Sequence, residues 1–158
     1  MNENKEYFVK EDDFIVSKTD VKGKITYCNQ PFLEIVGATQ EQLLFKPHDI
    51  IRHPDMPRIV FKLLWDRIKA KQEVFAFVKN RSFDGGFYWV FANVTASLDA
   101  KGEIIGYHSV RRKPNADGVK FIEGVYKQLL DAEKSGGMKA SGKLLEQILA
   151  DAGISHDE

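Results

Sequence analysis

The segment between Pro47 and Pro57 concentrates side chains that can bind a polar or anionic ligand. Its eleven residues, PHDIIRHPDMP, include two histidines, one arginine, two aspartates and three prolines. Proline restricts its own backbone angle and removes a hydrogen-bond donor, so the segment is predicted to be a rigid loop. Arg52, His53 and Asp55 then stand at fixed positions on that loop. Such an arrangement suits a ligand site better than it suits a hydrophobic core.

The elements that must position this loop are indicated by turns, capping residues and apolar spacing. Two strands joined by a turn open the chain, and two short helices follow, one capped by Asn29 and one by a capping box at Thr39 and Gln42. A helix with an apolar face comes directly after the loop, followed by a three-strand meander and two amphipathic helices. The predicted strands are 14–19, 24–28, 73–81, 87–98 and 103–112, and the longer helices are 58–69, 118–134 and 141–150. This order predicts an α+β fold.

Composition limits the classes of function. The chain has 158 residues, of which 29% are charged and 43% apolar, as in a soluble globular protein. Lysine plus arginine and aspartate plus glutamate both number 23, and this neutral balance argues against nucleic-acid binding. The single cysteine, Cys28, excludes an internal disulfide and a cysteine metal cluster and favours a reducing compartment. Because the sequence has no apolar run as long as a membrane span, we expect a cytoplasmic protein that serves a membrane only by docking, without insertion.

The two faces of the predicted meander differ in composition. One face carries the small residues Ala76, Ala92 and Ser109, beside Asn80 and Tyr107. Because protein interiors pack to near crystal density, the volume that small residues leave must be filled by the short helices or by a flat ligand. The opposite face is so aromatic that it requires cover, from the terminal helices or from a partner. Its members are Phe75, Phe77, Trp89, Phe91 and His108.

Five short strings in these elements resemble the PAS sensor domain of bacterial aerotaxis receptors. They are ITYCN at 25–29, RHPDMP at 52–57, VKNR at 78–81, YWV at 88–90 and GYHSVR at 106–111, and the resemblance covers about residues 14–114. It implies a PAS fold with a five-stranded antiparallel sheet and short helices on one face. An N-terminal cap at 1–13 precedes this domain and a helical appendage at 115–158 follows it. Without a membrane span or a long coiled coil, the chain is similar to the stand-alone PAS subunit of a bipartite energy-taxis receptor.

The resemblance also implies a function, a cofactor and a partner. Aerotaxis PAS domains bind FAD non-covalently and report its redox state to a chemotaxis signalling domain. The expected function is therefore a cytoplasmic, FAD-binding energy sensor rather than an enzyme. The expected partner is a membrane-bound methyl-accepting chemoreceptor that contacts the aromatic face of the sheet and recruits the protein to the inner face of the membrane. A second copy of the chain is an alternative partner.

Four residues match positions that hold the cofactor in this family. Arg52, His53 and Asp55 match positions used for FAD, whose phosphate or carbonyl oxygens an arginine fork can bind. The alternative is a solvated loop with a local Arg–Asp pair. Asn80 matches an amide that serves the pyrimidine edge of the flavin, which needs both a donor and an acceptor. Its alternative role is to satisfy backbone groups at a strand end.

Other predicted cofactor contacts come from the small-residue face and from flanking elements. Ala92, Tyr107 and Ser109 lie on that face. Trp65 can stack near the ring, although its place on an apolar helix face is more typical of core. Asn29 follows a strand, where capping a helix is the more common role.

The sequence leaves three alternatives to flavin sensing. His48 and His53 raise haem binding, but the axial histidine of haem-binding PAS domains usually lies on a later helix, which here reads 60–68 without a histidine. A ligand-free scaffold that only dimerises is the main rival from a different class. A photosensor with a cysteinyl adduct is disfavoured, because 45–53 lacks a cysteine and Cys28 lies on a strand. No spacing typical of a metal site or a catalytic motif is present in the sequence.

Overall fold

A computed structural model describes residues 5–151 of the chain. The strands are β1 (Glu6–Tyr7), β2 (Ile15–Thr19), β3 (Ile25–Cys28), β4 (Val74–Arg81), β5 (Phe87–Leu98) and β6 (Ile104–Arg112). The helices are α1 (Gln30–Val36), α2 (Gln40–Leu43), α3 (Arg58–Lys69) and α4 (Ala116–Asp151), with a 3-10 turn at His48–Ile51 before α3. Each of the five strands predicted from the sequence is present, with its first residue shifted by no more than one position.

Five antiparallel strands form the centre of the molecule, in the spatial order β4-β5-β6-β2-β3. This confirms the predicted α+β fold. The N-terminal segment adds a strand that the sequence did not predict: β1 pairs in parallel with the start of β5, with Glu6 opposite Phe87 and Tyr7 opposite Tyr88. With two residues, β1 is too short to show a period of two in the sequence.

The helices α1 and α2 begin and end at the local signals that the sequence carries. The Asn29 side chain accepts a hydrogen bond from the Phe32 amide, and Gly37, at φ +74°, ends α1 in a left-handed conformation. Thr39 and Gln42 form the predicted capping box of α2. These side chains satisfy amides that would otherwise lack partners, and they therefore set the residues at which both helices begin.

The C-terminal region contains two helical segments, as the sequence predicts, but they meet at a single residue instead of at a linker spanning 135–137. Only Gly137 has non-helical angles, φ +67° and ψ −163°, a region of backbone space that is open essentially to glycine alone. The chain changes direction there, while Ser135 and Gly136 still continue the first helical segment. Neither α4 nor any other helix within residues 5–151 is long and apolar enough to cross a membrane.

Helix α4 covers part of the aromatic outer face of the sheet. Trp89 is only 5% exposed, because its ring stacks on that of Tyr126 in α4, with 6.2 Å between the centroids. The Tyr126 hydroxyl donates to the carbonyl oxygen of Phe77 on the edge strand β4 at 2.7 Å. Trp89 was predicted to contact a partner, but it belongs to the core between the sheet and α4.

The other part of the predicted partner surface is more accessible. Phe75 is 60% exposed and stacks on Phe91, with 5.9 Å between the ring centroids. The guanidinium of Arg112 lies 5.4 Å from the centre of the Phe91 ring. His108 is half-buried on β6, opposite Thr95 of β5. The aromatic face therefore divides into a part covered by α4 and a part that carries an exposed ring.

Candidate functional site

A cavity of about 260 Å³ lies between the inner face of the sheet and helix α3. Its volume is slightly below the range of about 300–1,000 Å³ that is common for ligand pockets, so it suits a ring system better than a large molecule. The small side chains predicted on this face leave the space, and α3 closes it from the other side. Residues from the strands that line it are Ser17, Thr19, Val78, Asn80, Ala92, Val94, Tyr107, Ser109 and Arg111.

A buried arginine lies at one end of this cavity. Arg111 on β6 is 3% exposed, its Nη2 donates to Ser17 Oγ at 2.7 Å, and its Nη1 lies 3.1 Å from His48 Nε2. Its guanidinium also lies 4.5 Å from the centre of the Phe32 ring. Within residues 5–151 no carboxylate forms a salt bridge with it, and its Nε has no hydrogen-bond partner. Since a buried charge without a counter-charge is destabilising, this end of the cavity suits an anionic or electron-rich ligand.

His48 orients this guanidinium without neutralising it. Burial, and after it the charge of Arg111, lower the pKa of His48 to about 3, so the imidazole is neutral at physiological pH. Because a guanidinium can only donate hydrogen bonds, Nε2 of His48 must accept, and the ring proton is placed on Nδ1. The Ser17 hydroxyl lies 3.0 Å from the same Nε2. Burial lowers the pKa of Arg111 from its ordinary value. Because a guanidinium is not deprotonated in proteins, Arg111 nevertheless keeps its positive charge.

Asn80 and Thr19 are among the other polar residues that line the cavity. Asn80 on β4 is 5% exposed, and its amide offers both a donor and an acceptor. The hydroxyl of Thr19 on β2 is buried and has no hydrogen-bond partner among residues 5–151. Because nearly all buried polar groups in proteins are hydrogen-bonded, the Thr19 hydroxyl and the Nε of Arg111 are groups that a molecule in the cavity would satisfy.

Helix α3 forms an apolar wall of the cavity. Helix α3 contributes Phe61, Leu64, Trp65 and Ile68. The Trp65 ring meets Tyr107 of β6 edge to face, with 5.0 Å between centroids, which fixes the indole against the sheet. At the mouth, the guanidinium of Arg52 lies 3.9 Å from the centre of the Phe61 ring. The charged residues of the lining are Lys22, Asp49, Arg52 and Arg111, and the other walls are mostly apolar, which suits a heterocyclic ring.

The sequence profile of the PAS fold matches residues 12–112. The chain belongs to the PAS family. The aerotaxis receptor of Escherichia coli (strain K12) is 35% identical over 119 residues, which are 75% of this chain and 23% of the receptor. The nitrogen fixation regulatory protein of Klebsiella pneumoniae is 28% identical over 104 residues, 66% of this chain and 21% of that protein. The chain thus spans less than a quarter of the length of these relatives.

Solved structures agree with this assignment. The dark structure of the blue-light photoreceptor Aureochrome1 LOV superposes with a TM-score of 0.62 at 26% identity, covering 74% of this chain and 86% of that chain. A light-oxygen-voltage domain studied with a flavin analogue also reaches a TM-score of 0.62, at 19% identity over 68% of this chain and 82% of that one, which shows the fold alone. They confirm the PAS fold, while the family match and the 35% identity to the aerotaxis receptor confirm the predicted PAS domain of aerotaxis-receptor type.

The structure brings most of the predicted cofactor contacts of this PAS domain together. Those that line the cavity are Arg52, Trp65, Asn80, Ala92, Tyr107 and Ser109. Asn29 lies outside it, because its side chain caps α1 and also bonds the amide of Val16 and the carbonyl of Phe14. His53 and Asp55 are also absent from the cavity lining.

His53 and Asp55 instead form a polar cluster with Lys79 of β4. The Nδ1 of His53 accepts a hydrogen bond from the Asp55 amide at 3.0 Å, and Lys79 Nζ donates to Asp55 Oδ2 at 2.9 Å. The hydrogen bond from Lys79 lowers the pKa of the Asp55 carboxyl, and burial lowers the pKa of His53. Lys79, rather than Arg52, is thus the partner of Asp55, and Arg52 remains at the mouth of the cavity.

Sequence reasoning missed Arg111, although a signal for it was present. Arg111 continues the alternation of Tyr107 and Ser109 along β6, so a period of two already places it on the inner face. On the sequence alone, His48 is a candidate haem ligand. Its contact with Arg111 joins residues 63 positions apart, and no local pattern in the sequence reveals such a pair.

Proposed function

We propose that this PAS domain binds FAD and acts as a redox or energy sensor. The proposal is carried by the buried guanidinium of Arg111, which has no acidic partner within residues 5–151 and lines the cavity together with the Asn80 amide. The polar edge of a flavin ring has oxygen and nitrogen atoms that both accept and donate, and a guanidinium and an amide together can serve them. The similarity to an aerotaxis receptor and to a blue-light photoreceptor supports the same cofactor class.

Arg111 also gives a physical reason for redox sensitivity. A bound flavin supplies a ring whose electron density increases on reduction. Charges interact more strongly in a low-dielectric interior than in water, so a fixed cation in the cavity favours the more electron-rich form. The neutral His48 leaves that cation uncompensated. Arg111 is therefore expected to stabilise the reduced state of the ring relative to the oxidised state.

FAD is proposed rather than FMN because of the surface beside the mouth. Arg52 lines both the cavity and an adjoining groove of about 460 Å³. The same groove carries His53, Arg58, Arg81 and Lys134 together with the acids Asp49 and Glu133, so its four arginine and lysine side chains outnumber its two carboxylates. Guanidinium groups bind phosphate oxygens in a bidentate manner, so these side chains suit a pyrophosphate that leaves the cavity past Arg52. His53 then contributes to cofactor binding from the groove rather than from the cavity.

The cofactor is identified by purifying the chain from freshly lysed cells and recording its absorbance spectrum. Cofactor released by heat is then chromatographed against FAD and FMN. We expect a yellow protein that releases FAD. Release of haem or of FMN alone contradicts the proposal, and a colourless protein that also fails to bind added FAD favours a ligand-free scaffold.

Two rival chemistries are disfavoured by the positions of particular side chains. Haem iron needs a free histidine nitrogen, but Nε2 of His48, which lines the cavity, already contacts Arg111 and Ser17. Adduct photochemistry needs a thiol beside the ring, whereas Cys28 is buried on β3 outside the cavity lining. Blue light should therefore leave the flavin bands unbleached in oxidising buffer. Reversible bleaching that disappears in Cys28→Ala would overturn this expectation.

For signal output, we propose that the exposed part of the aromatic face contacts a helical cytoplasmic region of a membrane-bound chemoreceptor, which recruits the protein to the membrane. The exposed Phe75 and its stacking partner Phe91 are the proposed contacts. Phe75→Glu should retain flavin while receptor co-purification and taxis fall. Phe121→Glu, at a 69% exposed position on α4, is the matched control and should retain both. Loss of flavin with intact receptor binding contradicts the proposed contact.

A further inference from the structure

Helix α3, which forms one wall of the cavity, has no capping side chain of its own. Its N-cap residue is Pro57, which makes no side-chain hydrogen bond to the helix. The two carboxylate oxygens of Glu133, in α4, instead accept hydrogen bonds from the amides of Arg58 and Ile59, each at 2.9 Å. Glu133 is 8% exposed, and the Ser141 hydroxyl donates to its Oε2 at 2.9 Å. A carboxylate from the C-terminal helix thus caps the first turn of α3, the helix that forms one wall of the cavity.

This contact is stronger than an ordinary contact between two helices. A negative charge at a helix N-terminus is stabilised by the helix dipole, and charge-assisted hydrogen bonds are stronger than neutral ones. The Arg58 side chain is 57% exposed and its Nε lies 3.7 Å from Glu133 Oε1, so the backbone amides are the main partners. Ser141 lies beyond the break at Gly137, so both segments of α4 hold the carboxylate.

Helix α3 also contacts any molecule that occupies the cavity. Leu64 and Trp65 of α3 line the cavity, while the first turn of α3 binds Glu133. Because α3 is a continuous helix of 12 residues, a ligand that sets the position of its lining side chains also sets the position of its first-turn amides. On the far side, α4 packs on the outer face of the sheet through the stack of Tyr126 on Trp89.

We propose that Glu133 couples occupancy of the cavity to the docking of α4. A ligand that holds α3 in place strengthens the Glu133 contact and orders α4, and the output region thereby senses the cavity. The proposal rests on the proposed function only in its choice of flavin as the ligand. Since coupling between two sites is reciprocal, loss of Glu133 must weaken ligand binding by the same factor by which the ligand stabilises the docked helix, typically about 5–150-fold.

The test measures amide hydrogen exchange of 116–148 with and without saturating FAD in the full chain. FAD is expected to slow exchange there in the parent and in Glu146→Ala, which removes an exposed acid from the same helix. In Glu133→Ala the FAD effect on α4 should vanish, and the Kd for FAD should rise by about 5–150-fold. Adding Pro57→Ser to Glu133→Ala gives α3 a local cap. It should recover stability against urea without recovering the FAD effect on α4.

The proposal is overturned if FAD protects α4 equally in the parent and in Glu133→Ala, if the two bind FAD equally well, or if Pro57→Ser restores the FAD effect. A parent that binds no FAD refutes the proposed function instead. The coupling is then decided by Ala92→Phe, which fills the cavity with a ring. That substitution must change exchange of α4 when Glu133 is present and leave it unchanged in Glu133→Ala. Any other result of this last comparison refutes the coupling.

Discussion

The two faces of the central sheet are completed in different ways. On the outer face, the large ring of Trp89 is covered by Tyr126 from the chain's own α4. On the inner face, Ala92, on the same strand, leaves a cavity between the sheet and α3. The outer face therefore contributes packing energy, whereas the inner face leaves room for a ligand. Residue size at alternate positions of one strand is enough to produce both outcomes.

Two adjacent arginines show the same difference in electrostatics. Arg111 points inward, is buried and has no acidic partner within residues 5–151. Arg112 points outward, is exposed and lies over the ring of Phe91. A cation that stays in water keeps its hydration and does not destabilise the fold. A buried cation without an acidic partner does destabilise it, unless a ligand supplies the compensating charge. The buried arginine is therefore expected to lower the stability of the ligand-free protein, whereas the exposed arginine is not.

The largest expected effect comes from the outer face. Trp89→Ala should lower the free energy of unfolding by about 3–5 kcal/mol, because it leaves a cavity under α4. Phe75→Ala, at a 60% exposed position, should change it by no more than about 0.5 kcal/mol. Urea denaturation of the two variants measures the difference. Similar losses in both would mean that α4 does not cover the sheet as described.

On the inner face, Arg111→Met should separate binding from stability. Flavin affinity should fall by about 1.5–3 kcal/mol, roughly 10–150-fold, because a charged hydrogen-bonding partner is lost. The flavin-free protein should be as stable as the parent or more so, since an unpaired buried charge is removed. Flavin titration and urea denaturation test the two statements, with Arg112→Met as the control. A loss of stability with unchanged affinity would show that Arg111 serves only the fold.

Ala92→Phe tests whether the inner face is open for a ligand. The added ring should destabilise the protein by about 1–3 kcal/mol and prevent flavin binding, while the domain remains folded. Ala100→Phe, in the exposed turn after β5, introduces the same ring away from the cavity and should retain flavin. Absorbance of the purified variants at flavin wavelengths provides the comparison. Equal flavin content in both would show that the cavity is not the flavin site.

Taken per pH unit, the smallest effect expected is a dependence of stability on pH. The pKa of His48 is about 3 in the folded protein and 6.5 for a free histidine, so between these values the unfolded chain binds a proton that the folded chain does not. Its contribution to stability is complete above pH 6.5 and decreases as pH falls, by at most about 1.4 kcal/mol per pH unit. Burial lowers the pKa of His53 and adds to the same trend.

The contribution of His48 is isolated by measuring unfolding between pH 7 and pH 5 in three proteins. His48→Gln should reduce the pH slope markedly, because its amide oxygen can still accept from Arg111 but does not titrate. His53→Gln should reduce it less, since that side chain is partly exposed. Identical slopes in the parent and in His48→Gln would refute the assignment of the buried neutral imidazole.

The sequence was sufficient for features that depend on neighbours along the chain. Asn29, and Thr39 with Gln42, cap α1 and α2 as predicted, because a cap needs only residues a turn apart. The faces of β5 and β6 followed from alternation, and Ala92 and Tyr107 line the cavity as expected. The two-residue β1 was missed, because so short a segment carries no periodicity.

The features of the candidate site also divide into those set by neighbours along the chain and those set by tertiary packing. The sequence by itself determined the strands, the caps, the small residues that leave room for a ligand and the aromatic outer face, since each follows from local geometry. Only the tertiary structure decided that His48 orients Arg111, that Lys79 pairs with Asp55 and that Glu133 completes α3. The amide of Ile59 and its partner Glu133 are 74 positions apart. Such pairs are set by how the helices pack on the sheet, and many sequences with the same local pattern pack without them.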